Sequence, residues 1–159
     1  MRRKISNARQ GALQRAIRFL AYRPRSEAEV MTYLAARGYP TALAEATLEK
    51  LRSLNYLNDE SFARNWARAQ SESPGYGPKR IEQELGAKGI TQALARAVVR
   101  ETFGEGGERE KARSLLEKKF KNKNLDDPKA LRQATAFLQR HGYSSSVIFD
   151  LLKVSIEDD

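Results

Sequence analysis

Catalysis needs a nucleophile, a base or a metal, and this sequence supplies none of the usual sets. It has no cysteine and one histidine, His141. Disulfides, thiol nucleophiles and Cys/His metal centres are therefore excluded, and no nucleophile–base pair can be built on the imidazole. Glu82 and Glu84 are two apart, so a helix would not set them on one face as paired carboxylates. Gly104-Glu105-Gly106-Gly107 lacks the Lys-Ser/Thr that completes a phosphate-binding loop and reads as a linker. What the chain has in quantity is positive charge, +9 net, and it is segregated. Arg2, Arg3, Lys4, Arg9, Arg15, Arg18, Arg23 and Arg25 all precede the first acid, Glu27. A smaller cluster follows at Lys118, Lys119, Lys121 and Lys123. Such segregation points to a polyanion or an acidic protein surface; a solvated basic arm is the plain alternative.

Particular cations stand out from this background. Tyr76, Lys79 and Arg80 follow Ser73-Pro74-Gly75 and open a helix, an exposed place for recognition residues. Basic side chains in a first turn oppose the helix dipole, so Lys79 and Arg80 gain nothing there for folding, which argues for a role in binding. Arg23 and Arg25, flanking Pro24 between two helices, have a similar claim. Arg37, Lys88 and His141 share one position in a repeated pattern, and Arg140 precedes the last of them. A cation there favours the dipole by about 0.3–1 kcal/mol at an exposed site. That role accounts for all three, with a shared edge tracking a polyanion as the functional alternative. Phe62 and Trp66, four apart, read as core rather than as platforms for bases.

The elements that must position these residues come in three copies. Leu34-Ala35-Ala36-Arg37-Gly38-Tyr39, Leu85-Gly86-Ala87-Lys88-Gly89-Ile90 and Leu138-Gln139-Arg140-His141-Gly142-Tyr143 share one signature, their glycines 51 and 53 residues apart. Glycine just past a helix end adopts the left-handed conformation that closes it, and the next residue packs back on the leucine. Starts precede these stops: a capping box at Ser26–Glu29, and prolines at the first helical position in Gly77-Pro78 and Asp127-Pro128. Thr41, Thr91 and Ser144 are placed to cap a following helix over 42–54, 92–103 and 145–154, rich in Leu, Ala and Val rather than base-reading side chains. Leading helices are expected over roughly 12–22, 60–71 and 108–120. No stretch alternates at period two. The fold class is therefore all-α, three tandem three-helix units: 11–57, 58–106 and 107–155. A basic tail over 1–10 and an acidic one over 156–159 flank them. Tyr56-Leu57-Asn58-Asp59 should be a stiff connection and the glycine-rich 104–107 a hinge. No signal peptide or apolar run of about 20 residues is present, so the plain reading is a cytoplasmic protein without a membrane partner.

Three segments carry a family likeness: Leu20-Ala-Tyr-Arg-Pro-Arg-Ser26-Glu-Ala-Glu29, Leu54-Asn-Tyr-Leu-Asn-Asp-Glu-Ser-Phe62-Ala63 and Gly75-Tyr-Gly-Pro-Lys-Arg-Ile-Glu-Gln-Glu-Leu85-Gly-Ala-Lys-Gly-Ile90. In this order and spacing, with Phe137–Tyr143 fitting more loosely, they resemble the RecX family of regulators of the RecA recombinase over nearly the whole chain. Asn58 stands where the family usually has Asp, and His141 where it commonly has Arg. The resemblance implies an elongated, curved array of three-helix units that lies in the groove of the RecA filament on single-stranded DNA. It also implies suppression of RecA's ATP hydrolysis, strand exchange and co-protease activity, with filament disassembly favoured. No catalytic role, cofactor or metal is implied, and a monomer is expected. Weak binding to single-stranded or double-stranded DNA fits the basic arm; the alternative is a general helical DNA-binding module. Arg23, Arg25, Arg37, Tyr76, Lys79, Arg80, Lys88 and Arg140 are the candidate contacts for RecA or DNA.

Overall fold

The computed structural model describes residues 1–153, and all the regular structure among them is helical. The order is α1 (Arg2–Tyr22), α2 (Glu27–Ala36), α3 (Thr41–Ser53), α4 (Asp59–Glu72), α5 (Pro78–Ala87), α6 (Gln92–Phe103), α7 (Gly107–Lys119), α8 (Pro128–His141) and α9 (Ser145–Leu152). These are the three expected triplets. Within the chain two compact units can be distinguished, residues 1–63 with 87–90 and residues 64–86 with 91–159.

In the first unit α1, α2 and α3 pack on one another around Ala12, Ala16, Val30, Leu34, Ala44, Leu48 and Leu51. Two alanines on α1 let the helices approach closely where longer side chains would hold them apart. In the second unit α9 packs on α7 and α8 around Ala112, Leu116, Phe120, Ala134, Leu138, Tyr143 and Ile148.

The helix ends follow the local chemistry. Ser26 and Glu29 form the full capping box, each side chain taking the other's backbone N–H. Asn58 accepts from Ser61 N, Thr91 from Leu94 N and Asp127 from Ala130 N. Gly38, Gly89 and Gly142 all adopt left-handed backbone (φ +81°, +78° and +85°). Tyr39 N and Tyr143 N return to the carbonyls of Leu34 and Leu138, as the helix-stop signature requires.

Some expectations give way. Residues 1–10 are not a tail but the first half of α1, whose core-facing alanines begin only at Ala12. Thr41 is the first helical residue of α3 and Pro40 its cap. Ser144 precedes α9, yet its side chain makes no capping bond, and its N–H is held instead by Glu108 of α7 at 2.7 Å. The break expected at the glycine-rich 104–107 is in place, Gly104 ending α6 and Gly106 opening α7, both at positive φ. Val154 and the acidic 156–159 lie outside the described residues.

Candidate interaction surfaces

The cations singled out from the sequence fall into two clusters, one in each unit. In the first, α1 and α2 run Phe19 and Tyr33 face to face, with ring centroids 4.0 Å apart and planes within 7°. A guanidinium covers each outer face: Arg25 lies 4.0 Å from the Phe19 centroid and Arg37 4.2 Å from that of Tyr33. The result is a four-layer stack, Arg25–Phe19–Tyr33–Arg37, in which flat cations meet the negative faces of two rings. Arg37 stays exposed; Arg25 is half-buried and its Nε finds no acceptor. Burial, with repulsion from Arg23 and against attraction from Glu29, pulls the Arg25 guanidinium below its ordinary pKa.

Beside this stack Glu29 gathers the remaining candidates of the unit. Its Oε1 takes Arg23 Nη2 at 3.0 Å and Lys88 Nζ at 3.4 Å, while Oε2 takes Ser26 N. Burial works against the carboxylate here, but the Ser26 N–H, Arg23 and Lys88 outweigh it and hold Glu29 below the usual range. The Ser26 hydroxyl donates to Lys88 O at 2.5 Å, so the end of α5 meets the start of α2. Glu27 pairs with Arg52, and Glu27 N is held by Asp59, whose carboxyl is pushed up mainly by burial and also by the Glu27 charge.

The second cluster centres on Arg80. Its guanidinium lies 3.6 Å from the Tyr76 centroid; Nη2 donates to Tyr76 OH, Nε to Glu84 and Nη1 to Arg140 O. Glu84 also takes the Trp66 indole N–H at 3.3 Å. Tyr76 meets His141 edge-on at 5.5 Å, and His141 leans on Phe137 at 4.1 Å. Beneath them the end of α8 abuts the start of α5: Gly77 N donates to His141 O at 2.6 Å and Lys79 N to Gly142 O at 3.0 Å. Carbonyls left over at one helix end thus satisfy amides left over at another. Tyr143 OH closes the site from below, donating to Gly75 O at 2.8 Å; burial, with Glu108 nearby, pushes this phenol up to about 12.

This geometry overturns the argument that Arg80 gains nothing for folding. Its charge opposes the start of its own α5, but it sits on the carbonyl end of α8, where a cation is favoured. Arg80 is a structural tie as well as a surface cation; Lys79 and Arg140 carry exposed side chains. The equivalent trio Arg37, Lys88 and His141 meets three different fates: stacking on Tyr33, pairing with Glu29 and tucking against Phe137. His141 does not act as a dipole-favouring cation. Burial first, then Arg80, Arg140 and Lys119, lower its pKa despite the bond of Nδ1 to Phe137 O, which favours the charged ring. Phe19, Tyr33, Glu29 and Glu84 were not among the sequence candidates. Helical spacing carried a signal for two of them, since Tyr33 is four before Arg37 and Glu84 four after Arg80.

Among the described residues no group of His, Asp and Glu could hold a metal, and no helix is long and apolar enough to cross a membrane. A cleft of about 710 Å³ beside α7 mixes Glu72, Glu110, Lys111 and Lys118 at its wall without a nucleophile–base pair.

Comparison with known proteins places the three triplets. Models of the first, second and third three-helix domains of RecX match residues 12–51, 58–99 and 107–152 in that order. The chain belongs to the RecX family. The regulatory protein RecX of Mycobacteroides abscessus is 32% identical over 160 residues, covering 99% of this chain and 78% of the relative. That of Geobacillus thermodenitrificans is 36% identical over 139 residues, 86% of this chain but 51% of a longer protein. The crystal structure of RecX from Lactobacillus salivarius superimposes with a TM-score of 0.82 at 23% identity, over 93% of this chain and 96% of that one. A second RecX crystal structure gives 0.79 at 25% identity, over 94% of this chain and 75% of the other. The RecX fold of tandem three-helix domains and a regulatory role of the RecX kind follow.

Proposed function

We propose that this chain regulates RecA by binding its filament on single-stranded DNA, lowering ATP hydrolysis, strand exchange and co-protease activity and favouring disassembly. It would act as a cytoplasmic monomer, without catalysis of its own. The observation that carries this reading is the ordered match of all three RecX domains along residues 12–152. The two cation clusters fit the task. A guanidinium held over a ring, as Arg37 is over Tyr33, loses little freedom when its forked donors grip a carboxylate or phosphate. Arg23, Arg25, Arg37 and Lys88 would serve in one unit, Tyr76, Lys79, Arg80 and Arg140 in the other.

A second reading, a DNA-binding module that merely coats single strands, is favoured by α1. Lys4, Arg15, Arg18 and Tyr22 fall along one side of that helix, and Tyr22 is 87% exposed. The order of addition separates the two. Added to RecA filaments already assembled on single-stranded DNA, at amounts below one per RecA subunit, the protein should lower ATP hydrolysis. Insensitive preassembled filaments, with inhibition only when the protein meets bare DNA first, would favour the DNA-coating reading. Lys79→Glu should weaken filament binding with little change in melting temperature. Arg80→Glu is a poor probe, because it also removes the tie to α8 and Tyr76.

A further inference from the structure

The three helix-closing glycines share one backbone conformation but not one neighbour. A Cβ on Gly89 would lie 2.2 Å from the Cβ of Ala28, in the first turn of α2. A Cβ on Gly142 would lie 2.4 Å from the backbone nitrogen and the Cβ of Arg80, in the first turn of α5. Each of these helix ends is thus a socket for the opening turn of another helix, sealed by the hydrogen bonds of Ser26 to Lys88 O and of Gly77 and Lys79 to His141 O and Gly142 O. The end of α2 closes as that of α8 does, with Gly38 N on Ala35 O and Tyr39 N on Leu34 O. Yet a Cβ on Gly38 would meet nothing within 4 Å, and Arg37 and Gly38 are both exposed.

We infer that the Arg37–Gly38 end of α2 is an open copy of this socket and receives the first turn of a helix from a protein partner. The filled example that ends α5 specifies what fits. There the incoming helix starts with a hydroxyl that donates to the last carbonyl, has a small residue against the glycine, and carries Glu29 to pair with Lys88. With Arg37 in the place of Lys88, the open end calls for the same opening: Ser or Thr, a small residue within the first turn, and an acid three after the cap. A second copy of this chain answers poorly. Its α2 and α5 already spend their first turns on the sockets above, and α8 opens with Asp127. The Asp127 carboxylate accepts from Ala130 N and has no hydrogen to donate, its N–H is held by Asn124 O, long Lys129 would stand where small Ala28 meets Gly89, and uncharged Ala130 where Glu29 pairs with Lys88. The same pairing of helix ends thus continues outward to a different protein.

This inference rests on the filament reading above and takes a RecA subunit as the bearer of that helix. The test measures binding to preassembled RecA–single-stranded DNA filaments, with sedimentation velocity and melting of each variant alone. Gly38→Asn fills the socket with a residue that tolerates positive φ, and Arg37→Glu reverses the pairing charge. Gly106→Asn is the control, because Gly106 has a similar φ of +77° and equally open surroundings far along the chain. Expected are a loss of affinity of about tenfold or more for the first two, melting near wild type, and wild-type binding for the control. Wild-type affinity in folded Gly38→Asn would overturn the socket while leaving the filament reading intact. Should the wild type ignore filaments, that reading fails and takes this one with it. Self-association of the wild type that Gly38→Asn abolishes would make the occupant a second copy and overturn the assignment to another protein. If Gly38→Asn does not fold, Arg37→Glu decides alone on the same scale.

Discussion

Replacing Gly38 and Gly89 by alanine, one at a time, separates two costs that a helix-closing glycine normally confounds. Both have left-handed backbone, so each alanine carries the same backbone penalty of about 1–2 kcal/mol. At Gly38 the methyl enters open space and the penalty ends there. At Gly89 it would overlap the methyl of Ala28 at 2.2 Å. A Cβ has no torsion with which to move aside, so α2 or the end of α5 must shift, at a further cost of about 1–3 kcal/mol. Urea unfolding followed by helical circular dichroism reads the difference. At slopes of about 1–3 kcal/mol per molar, Gly89→Ala should unfold roughly 1 M earlier than Gly38→Ala. Adding Ala28→Gly to Gly89→Ala removes the overlap and should recover part of the loss, offset by the roughly 1 kcal/mol that glycine costs inside a helix. Equal midpoints for the two single variants would refute the close approach of α5's end to α2.

Two further outcomes follow from the second unit. Tyr143→Phe leaves O of buried Gly75 without the phenol that reaches it, and should cost about 1–3 kcal/mol, read as an earlier denaturation midpoint. His141 predicts a pH dependence. Its folded pKa is lowered, so below the ordinary value of 6.5 the unfolded chain takes up the proton first and the folded state loses ground. The wild type should therefore lose more melting temperature between pH 7.5 and pH 5.5 than His141→Gln does. Identical pH profiles would show that the imidazole is not held neutral.

The helices were legible because their punctuation is local. A capping box, two prolines after Gly77 and Asp127, and three glycines each act within a turn or two of their own position, so the sequence alone determines them. What escaped was set at a distance. Arg80 looked frustrated because the sequence shows only its own helix; the carbonyl that compensates it belongs to Arg140, sixty residues on. His141 looked like a cation partly for the same reason: Tyr76, which helps bury it, is remote in sequence, although Phe137 four before it is a helical neighbour. The Phe19–Tyr33 stack joins two helices and has no signature along the chain. The basic charge of residues 1–10 says nothing of their backbone: a helix anchored at Ala12 and Ala16 extends backward through exposed residues that no core contact announces.

That backward extension has an electrostatic sequel. The opening turn of α1 holds Arg2, Arg3 and Lys4, with neither an acid nor a capping side chain among them. Three positive charges thus crowd the end of a helix that is itself positive, and only water and salt soften the repulsion. An anionic strand or acidic surface laid across this end would neutralise side chains and dipole together. Association and helix formation there draw on the same electrostatic energy, so the basic arm should stiffen as it engages and fray as it lets go.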